Sequence, residues 1–135
     1  MSDPTADFSA FFLEDTSSIE IDLPNGDPML FNGQRVIVRV HGPSTQVFTE
    51  AKTVLDREAA KNMVAALGVK QKAKDHADKD ADAKFLTAIT AGIENFPFPG
   101  GVSAVYREQR LKYMADQVRA HISDLGNFFA GKPKA

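Results

Sequence analysis

The stretch RVIVRVHGPSTQVFTEAKTVL, residues 35–55, decides the fold, because its hydrophobic period changes partway along. Its first part alternates valine with other residues, which is typical of a strand with one buried face. Gly42-Pro43 then ends the strand, and Ser44 or Thr45 can cap a helix. The stretch therefore predicts a strand that leads through a short turn into a helix.

Apolar residues spaced three and four apart continue this helix, which we predict over residues 45–67. They are Val47, Phe48, Ala51, Val54, Leu55, Ala59, Met63, Ala66 and Leu67. Gly68 follows the last of them and supplies a C-terminal stop.

A second alternating segment lies upstream, at Ile19, Ile21 and Leu23, and predicts another half-buried strand. Asn25-Gly26 and Asn32-Gly33, between the two strands, suit turns with positive φ. Two topologies stay open. One is a β-hairpin with an extra bend, and the other is a three-stranded meander in which the segment MLF between the turns is a short strand.

The charged segment VKQKAKDHADKDADAK, residues 69–84, permits two interpretations. A second helix can begin as early as residue 71, because Lys74 and Asp78 stand four apart and can pair along it. The first half of this helix can equally fray, because aspartate is a poor helix former. A narrow apolar stripe runs through this segment and beyond it to Ile93, and predicts that the second helix continues that far.

The segment AGIENFPFPGGVSAVY, residues 91–106, predicts a corner between two helices. Its two prolines forbid a continuous helix, and its glycine pair lets the backbone turn. We expect Phe96, Phe98 and Val102 to fold beneath the corner and fill the core.

A last apolar stripe predicts a helix over residues 104–129. The whole chain is therefore expected to be α+β and mainly helical, with an N-terminal β-hairpin or small meander followed by three helices. We predict a single domain over residues 17–131, a flexible N-terminal arm at residues 1–16 and a disordered tail at residues 132–135.

The composition argues against several classes of function. A net charge of −2 and the absence of cysteine disfavour a general nucleic-acid binder, disulfides and thiolate metal sites. The histidines His41, His76 and His121 share no metal-ligand spacing, and the chain has no phosphate loop or nucleophile motif. No basic signal region or membrane-length apolar run occurs. We therefore predict no catalytic residue, metal or other cofactor, no nucleic-acid or membrane partner, and a cytoplasmic location.

Phenylalanine is the unusual component, with ten residues and no tryptophan beside them. Either the two phenylalanine-rich chain ends pack together as core, or several rings form an exposed apolar patch, which usually marks a partner site. The candidate partner-binding residues are Phe96, Phe98, Phe128 and Phe129, with Phe11 and Phe12 as alternatives. On the patch hypothesis, replacing both Phe128 and Phe129 by Asp should leave a folded monomer that no longer binds its partner.

Two long segments, DPMLFNGQRVIVRVHGPSTQVFTEAKTVL and FLTAITAGIENFPFPGGVSAVYREQRLKYMADQVRAHISDLGNFF, resemble the tail assembly chaperones of long-tailed bacteriophages and prophages. The resemblance rests on the strand–turn–helix at Val40–Ala51, the segment Leu86–Phe96 and the helix ending at Ile122–Phe129, and covers about residues 17–129. One departure is Ile93, which stands where tryptophan is common in that family. The resemblance implies a non-enzymatic protein that binds the tape-measure protein in the bacterial cytoplasm, with tail-tube subunits as second candidate partners. It also implies absence from the mature virion.

Two other classes of function stay open at this level. One is a structural virion protein, such as a head–tail connector or tail-terminator subunit, which would remain in the particle. The other is a small metal- or ligand-binding enzyme. Homo-oligomers built through the edge of the hairpin are also open, because an unpaired strand edge is a template for pairing.

Overall fold

The computed structural model describes residues 8–65, 67 and 71–129. Over these residues the fold is α+β and mainly helical, as predicted, with a small antiparallel sheet and four α-helices. The predicted stop at Gly68, the start of the arm and the tail at residues 132–135 lie outside the described residues.

The main sheet has three antiparallel strands, β1 (Thr16–Glu20), β4 (Ile37–His41) and β5 (Thr90–Glu94), in the order β1-β4-β5. Two short strands, β2 (Leu30–Phe31) and β3 (Gln34–Arg35), pair with each other inside the β1–β4 connection.

The β1–β4 connection combines the two topologies expected from the sequence. β1 and β4 pair directly, as in a hairpin. The Met29 N–H donates to the Ile21 carbonyl, and the Val36 N–H donates to the Met29 carbonyl, so that a third segment also joins the ladder. The Asn32-Gly33 turn has φ of 52° and 79°, which is the positive-φ pair that a tight hairpin turn requires.

Helices α1 (Gln46–Ala65) and α2 (Gln71–Ile89) form an antiparallel pair. Thr45 is the cap of α1, because its hydroxyl accepts a hydrogen bond from the Phe48 N–H at 3.2 Å. The prediction of a helix over residues 45–67 is confirmed to within two residues at each end, and α2 begins at residue 71, the earlier of the two expected starts.

Two sequence-based predictions of helix are wrong. The segment Thr90–Glu94 is strand β5, whose Ile93 lies opposite Val38 of β4. The single helix predicted over residues 104–129 is two helices, α3 (Gly101–Arg107) and α4 (Lys112–Ile122). Glu108 separates them because its backbone is extended, with φ −80° and ψ 114°.

The core lies between one face of the sheet and helices α2, α3 and α4. Its fully buried members include Ile21, Val36, Val38, Val40, Leu86, Ile89, Val105, Met114, Val118 and Phe128. Helix α1 packs mainly on α2, and Ala51, at 8% exposure, is its only buried residue among those described. As a result, much of α1 faces solvent.

The two chain ends meet beside the sheet. Leu13 and Phe129 form an antiparallel bridge, and the Gly42 N–H donates to the Asp15 carbonyl at 2.7 Å. Residues 13–16 therefore belong to the domain, and the predicted arm at residues 1–16 is too long at its C-terminal end.

Candidate partner-binding surfaces

Phe128 is a core residue, and its assignment to an exposed surface is wrong. Its side chain is 0% exposed and lies edge-on to the His121 ring, with centroids 5.6 Å apart. A Cβ added at Gly42 would come within 2.9 Å of the Phe128 ring, which shows how closely the two residues pack. Because the first substitution would bury an unpaired carboxylate, Phe128→Asp with Phe129→Asp is now expected to prevent folding rather than to leave a folded monomer.

Phe129 is half-buried and held by its bridge to Leu13. For these two C-terminal phenylalanines, the alternative in which the chain ends pack together is the correct one. The exposed large hydrophobic side chain near this C-terminal pair is Leu125, which is 55% exposed.

The N-terminal phenylalanines form an exposed set, here called the N-terminal aromatic patch. Phe8, Phe11 and Phe12 are 58%, 74% and 63% exposed. They lie on and beside a short 3-10 turn at Ser9–Phe11, in which the Phe11 N–H donates to the Phe8 carbonyl at 2.9 Å. Three exposed aromatic rings within five residues are the largest exposed aromatic group in the described part of the chain.

Phe96 and Phe98 are half-buried and form a corner cluster with Phe31. Phe96 stacks on Phe98 at 5.7 Å and meets Phe31 edge-on at 5.9 Å. Asn95, at φ 64°, donates from its side-chain amide to the Arg35 carbonyl and so ties the corner to β3. Phe96 and Phe98 pack against the core beneath the corner, as expected. Val102 is not among the hydrophobic residues packed there, and Val105 is the buried residue of this segment instead. Phe31 is 38% exposed.

An apolar groove runs between α1 and α2, with a volume of about 410 Å³. It is lined by Val47, Glu50, Ala51, Val54, Leu55, Glu58, Ala81, Lys84, Phe85 and Ala88. Phe48 and Phe85 meet edge-on at 5.4 Å where the two helices pack. This α1–α2 groove was missed from the sequence, although α1 carries more apolar positions than one helix face can bury.

The polar rim of the groove is an ion pair between Lys84 of α2 and Glu58 of α1, with Nζ and Oε1 3.1 Å apart. The hydrogen bond to Glu58 raises the pKa of Lys84, with Asp80 adding to the effect. The other carboxylate oxygen of Glu58, Oε2, is buried and has no hydrogen-bond partner within the described part of the chain. Because this oxygen is closed off from solvent, the accessible surface of the groove consists of its apolar wall and the Lys84–Glu58 ion pair at its rim.

A charged cleft of about 360 Å³ lies between α2 and the α3–α4 segment. Arg107 pairs with Asp80, and Arg119 pairs with Asp82 and Asp116. The hydrogen bond from Arg107 lowers the pKa of Asp80, and burial lowers the pKa of Arg119. These ion pairs connect α2 to α3 through Asp80 and Arg107, and α2 to α4 through Asp82 and Arg119. The cleft is therefore explained as a packing contact between the helices.

Glu108 also lines the cleft and caps the 3-10 turn at Gln109–Leu111. Hydrogen bonds from the Arg110 side chain and backbone N–H lower the pKa of Glu108 to about 2.

His76 lines the same cleft and is exposed. Among the described residues, no group of three or more acidic or histidine side chains is arranged to hold a metal ion.

Comparison of the chain with protein-family models, curated proteins and solved structures found no match. None of the helices in the described residues combines the length and the apolar character needed to span a bilayer.

Proposed function

We propose that this protein is a non-enzymatic tail assembly chaperone of a long-tailed bacteriophage or prophage. In this proposal it binds the tape-measure protein in the host cytoplasm, with tail-tube subunits as second candidate partners. The proposal draws on the sequence resemblance and on the exposed apolar surface of the fold.

The observation that carries the proposal is the α1–α2 groove. A tape-measure protein is long, apolar and helix-rich, and an amphipathic helix can lay its apolar face into a hydrophobic groove. Val47 and Val54 stand two helical turns apart along one wall, and both are more than 40% exposed. Their seven-residue spacing gives the groove an apolar strip that matches apolar residues two turns apart on a bound amphipathic helix.

The N-terminal aromatic patch supports a second point of contact. Phe11 and Phe12 stay candidate partner-binding residues, since both rings are largely exposed. Phe96 and Phe98 are candidates through the exposed side of the corner cluster.

The test is co-expression with the tape-measure protein encoded in the same phage genome, followed by co-purification. Ala88→Glu places a charged side chain in the groove at an exposed position, and Ala60→Glu makes the same change at an exposed position that does not line it. We expect the unmodified protein and Ala60→Glu to retain the partner, and Ala88→Glu to retain at least about tenfold less. Failure of the unmodified protein to co-purify with soluble tape-measure protein would overturn the proposal, and equal binding by the two variants would exclude the groove.

Mass spectrometry of purified virions tests the second part of the proposal. A chaperone of this type should be absent from the particle and present in lysates of infected cells. Detection in the particle at the abundance of a structural subunit would instead favour a head–tail connector or tail terminator.

A further inference from the structure

One face of α1 carries a heptad pattern that no part of the described chain covers. The residues Val47, Glu50, Val54, Arg57, Lys61 and Val64 are spaced alternately three and four apart and are all exposed. A helix has about 3.6 residues per turn, so this spacing places all six on one face. The same alternation of three and four defines the a and d positions of a coiled coil. These six residues are called the heptad face below.

The charges on the heptad face are divided along its length. Glu50 lies in the N-terminal half, and Arg57 and Lys61 lie in the C-terminal half. Within the described part of the chain, neither Arg57 nor Lys61 forms an ion pair, and Glu50 is bonded only to the neutral Gln46 amide at 2.8 Å. These exposed side chains are therefore available to pair with opposite charges on a second molecule.

A second copy of the same helix in antiparallel orientation supplies them. In an antiparallel pair with two-fold symmetry, each a position faces a d position of the other helix, and each contact occurs twice. Val47 then faces Val64, Glu50 faces Lys61, and Val54 packs on the stem of Arg57. In the parallel orientation, by contrast, Glu50 faces Glu50 and Lys61 faces Lys61, which is repulsive.

We propose that α1 pairs with α1 of a second copy of this chain, antiparallel and through the heptad face. The inference goes beyond the proposed function and does not depend on it. Because Val47, Glu50 and Val54 also line the α1–α2 groove, the dimer and a helix bound in that groove would compete for these residues. It follows from the exposed apolar residues at the ends and centre of the face and from charges that are complementary in only one orientation. The contact is small, so the dimer should be weak and should form at high protein concentration.

Sedimentation equilibrium of the full chain, up to about 1 mM, tests the dimer by charge reversal. Glu50→Lys and Lys61→Glu each place like charges opposite each other at both ends of the contact, and each should raise the dissociation constant at least about tenfold. The double variant Glu50→Lys with Lys61→Glu restores opposite charges and should return the constant to within about twofold of the original.

A matched control exchanges a charge pair elsewhere on α1. Lys52 and Asp56 pair with each other at 2.6 Å and lie away from the heptad face. Lys52→Glu with Asp56→Lys keeps that pair and the net charge, and should leave dimerisation unchanged. Circular dichroism verifies that every variant keeps its helix content.

Disulfide trapping tests the orientation, since the natural chain has no cysteine. The double variant Val47→Cys with Val64→Cys should form a covalent dimer on mild oxidation, because the two sites face each other only between antiparallel copies. Val47→Cys alone should cross-link poorly, because its Cα should lie far beyond the roughly 7 Å limit from its copy.

Three outcomes overturn the inference. The first is a protein that stays monomeric throughout the concentration range. The second is a dimer that ignores both charge reversals or is not restored by the double variant. The third is efficient cross-linking by Val47→Cys alone, which indicates parallel helices.

Discussion

At the scale of single residues, the phenylalanines divide into two kinds that the sequence does not distinguish. Phe128 is completely buried, whereas Phe11 and Phe12 face solvent. All three lie near chain ends in phenylalanine-rich segments, so composition and spacing treat them alike. Burial is decided by the meeting of the two ends, a contact between residues more than a hundred positions apart, which local sequence patterns do not report.

This difference in burial predicts a large loss of stability when the ring of Phe128 is removed and almost none when that of Phe12 is removed. Phe128→Ala should lower the free energy of unfolding by about 3–5 kcal/mol, because it removes a buried ring and leaves a cavity. Phe12→Ala serves as the control and should change the free energy by less than about 0.5 kcal/mol. Urea denaturation measures both values, and similar losses in the two variants would contradict the assignment of Phe128 to the core.

Tyr106 predicts a loss of stability at alkaline pH. Burial raises the pKa of its phenol from 10.0 to about 12, although the hydrogen bond with Thr90 acts in the opposite direction. Because the unfolded state releases this proton first, the contribution is complete below pH 10 and is lost as the pH rises from 10 towards 12. Urea denaturation at several pH values should show a steeper fall for the natural protein than for Tyr106→Phe. Equal slopes would show that the buried phenol does not control this loss.

At the scale of secondary structure elements, the accuracy of sequence reasoning depends on whether the cause is local. Helices α1 and α2 were predicted closely, because three-to-four spacing and the cap at Thr45 are properties of short segments. Strand β5 was missed because it exists through pairing with β4, while its own residues TAGIE carry no alternating pattern.

The break between α3 and α4 has a different cause. The apolar stripe continues across it, so periodicity alone favours one helix. Glu108 adopts an extended backbone, and its side chain accepts a hydrogen bond from the Arg110 N–H and begins a new turn.

The α1–α2 groove could not be predicted from the sequence, because it depends on the distance between two helices and not on the residues of either helix alone.

The ion pair between Asp82 of α2 and Arg119 of α4 predicts a measurable coupling. A double-mutant cycle of Asp82→Asn and Arg119→Gln should give about 0.5–1 kcal/mol, since both side chains are partly exposed and solvent screens them. The coupling should fall as salt rises to about 1 M. The same cycle on Arg39 and Glu94, which are about half exposed on the sheet, should give less. A larger coupling for the sheet pair would contradict this ranking.

At the scale of the whole molecule, the domain is closed by its two ends. The bridge between Leu13 and Phe129, with the hydrogen bond from Gly42 to Asp15, covers the buried ring of Phe128. The exposed N-terminal aromatic patch lies just before this closure and contributes little to it.

Two truncations of different length separate these parts. Removing residues 1–12 should change the free energy of unfolding by less than about 0.5 kcal/mol, because the described side chains in that segment are exposed. Removing residues 1–15 also deletes Leu13, which packs on the core, and the acceptor for Gly42, and should cost about 2 kcal/mol or more. Thermal unfolding of the two proteins provides the comparison, and equal melting temperatures would show that residues 13–15 do not close the domain.

The meeting of the ends also bears on when the protein acquires its structure during translation. Proteins grow from the N-terminus at roughly 5–20 residues per second, and Leu13 is made long before Phe129. The hydrophobic core of the nascent chain therefore stays incomplete until the residues around Phe128 have been synthesised. A ribosome stalled before codon 128 should present a protease-sensitive intermediate, and the released chain should pass to the resistant form without any added partner.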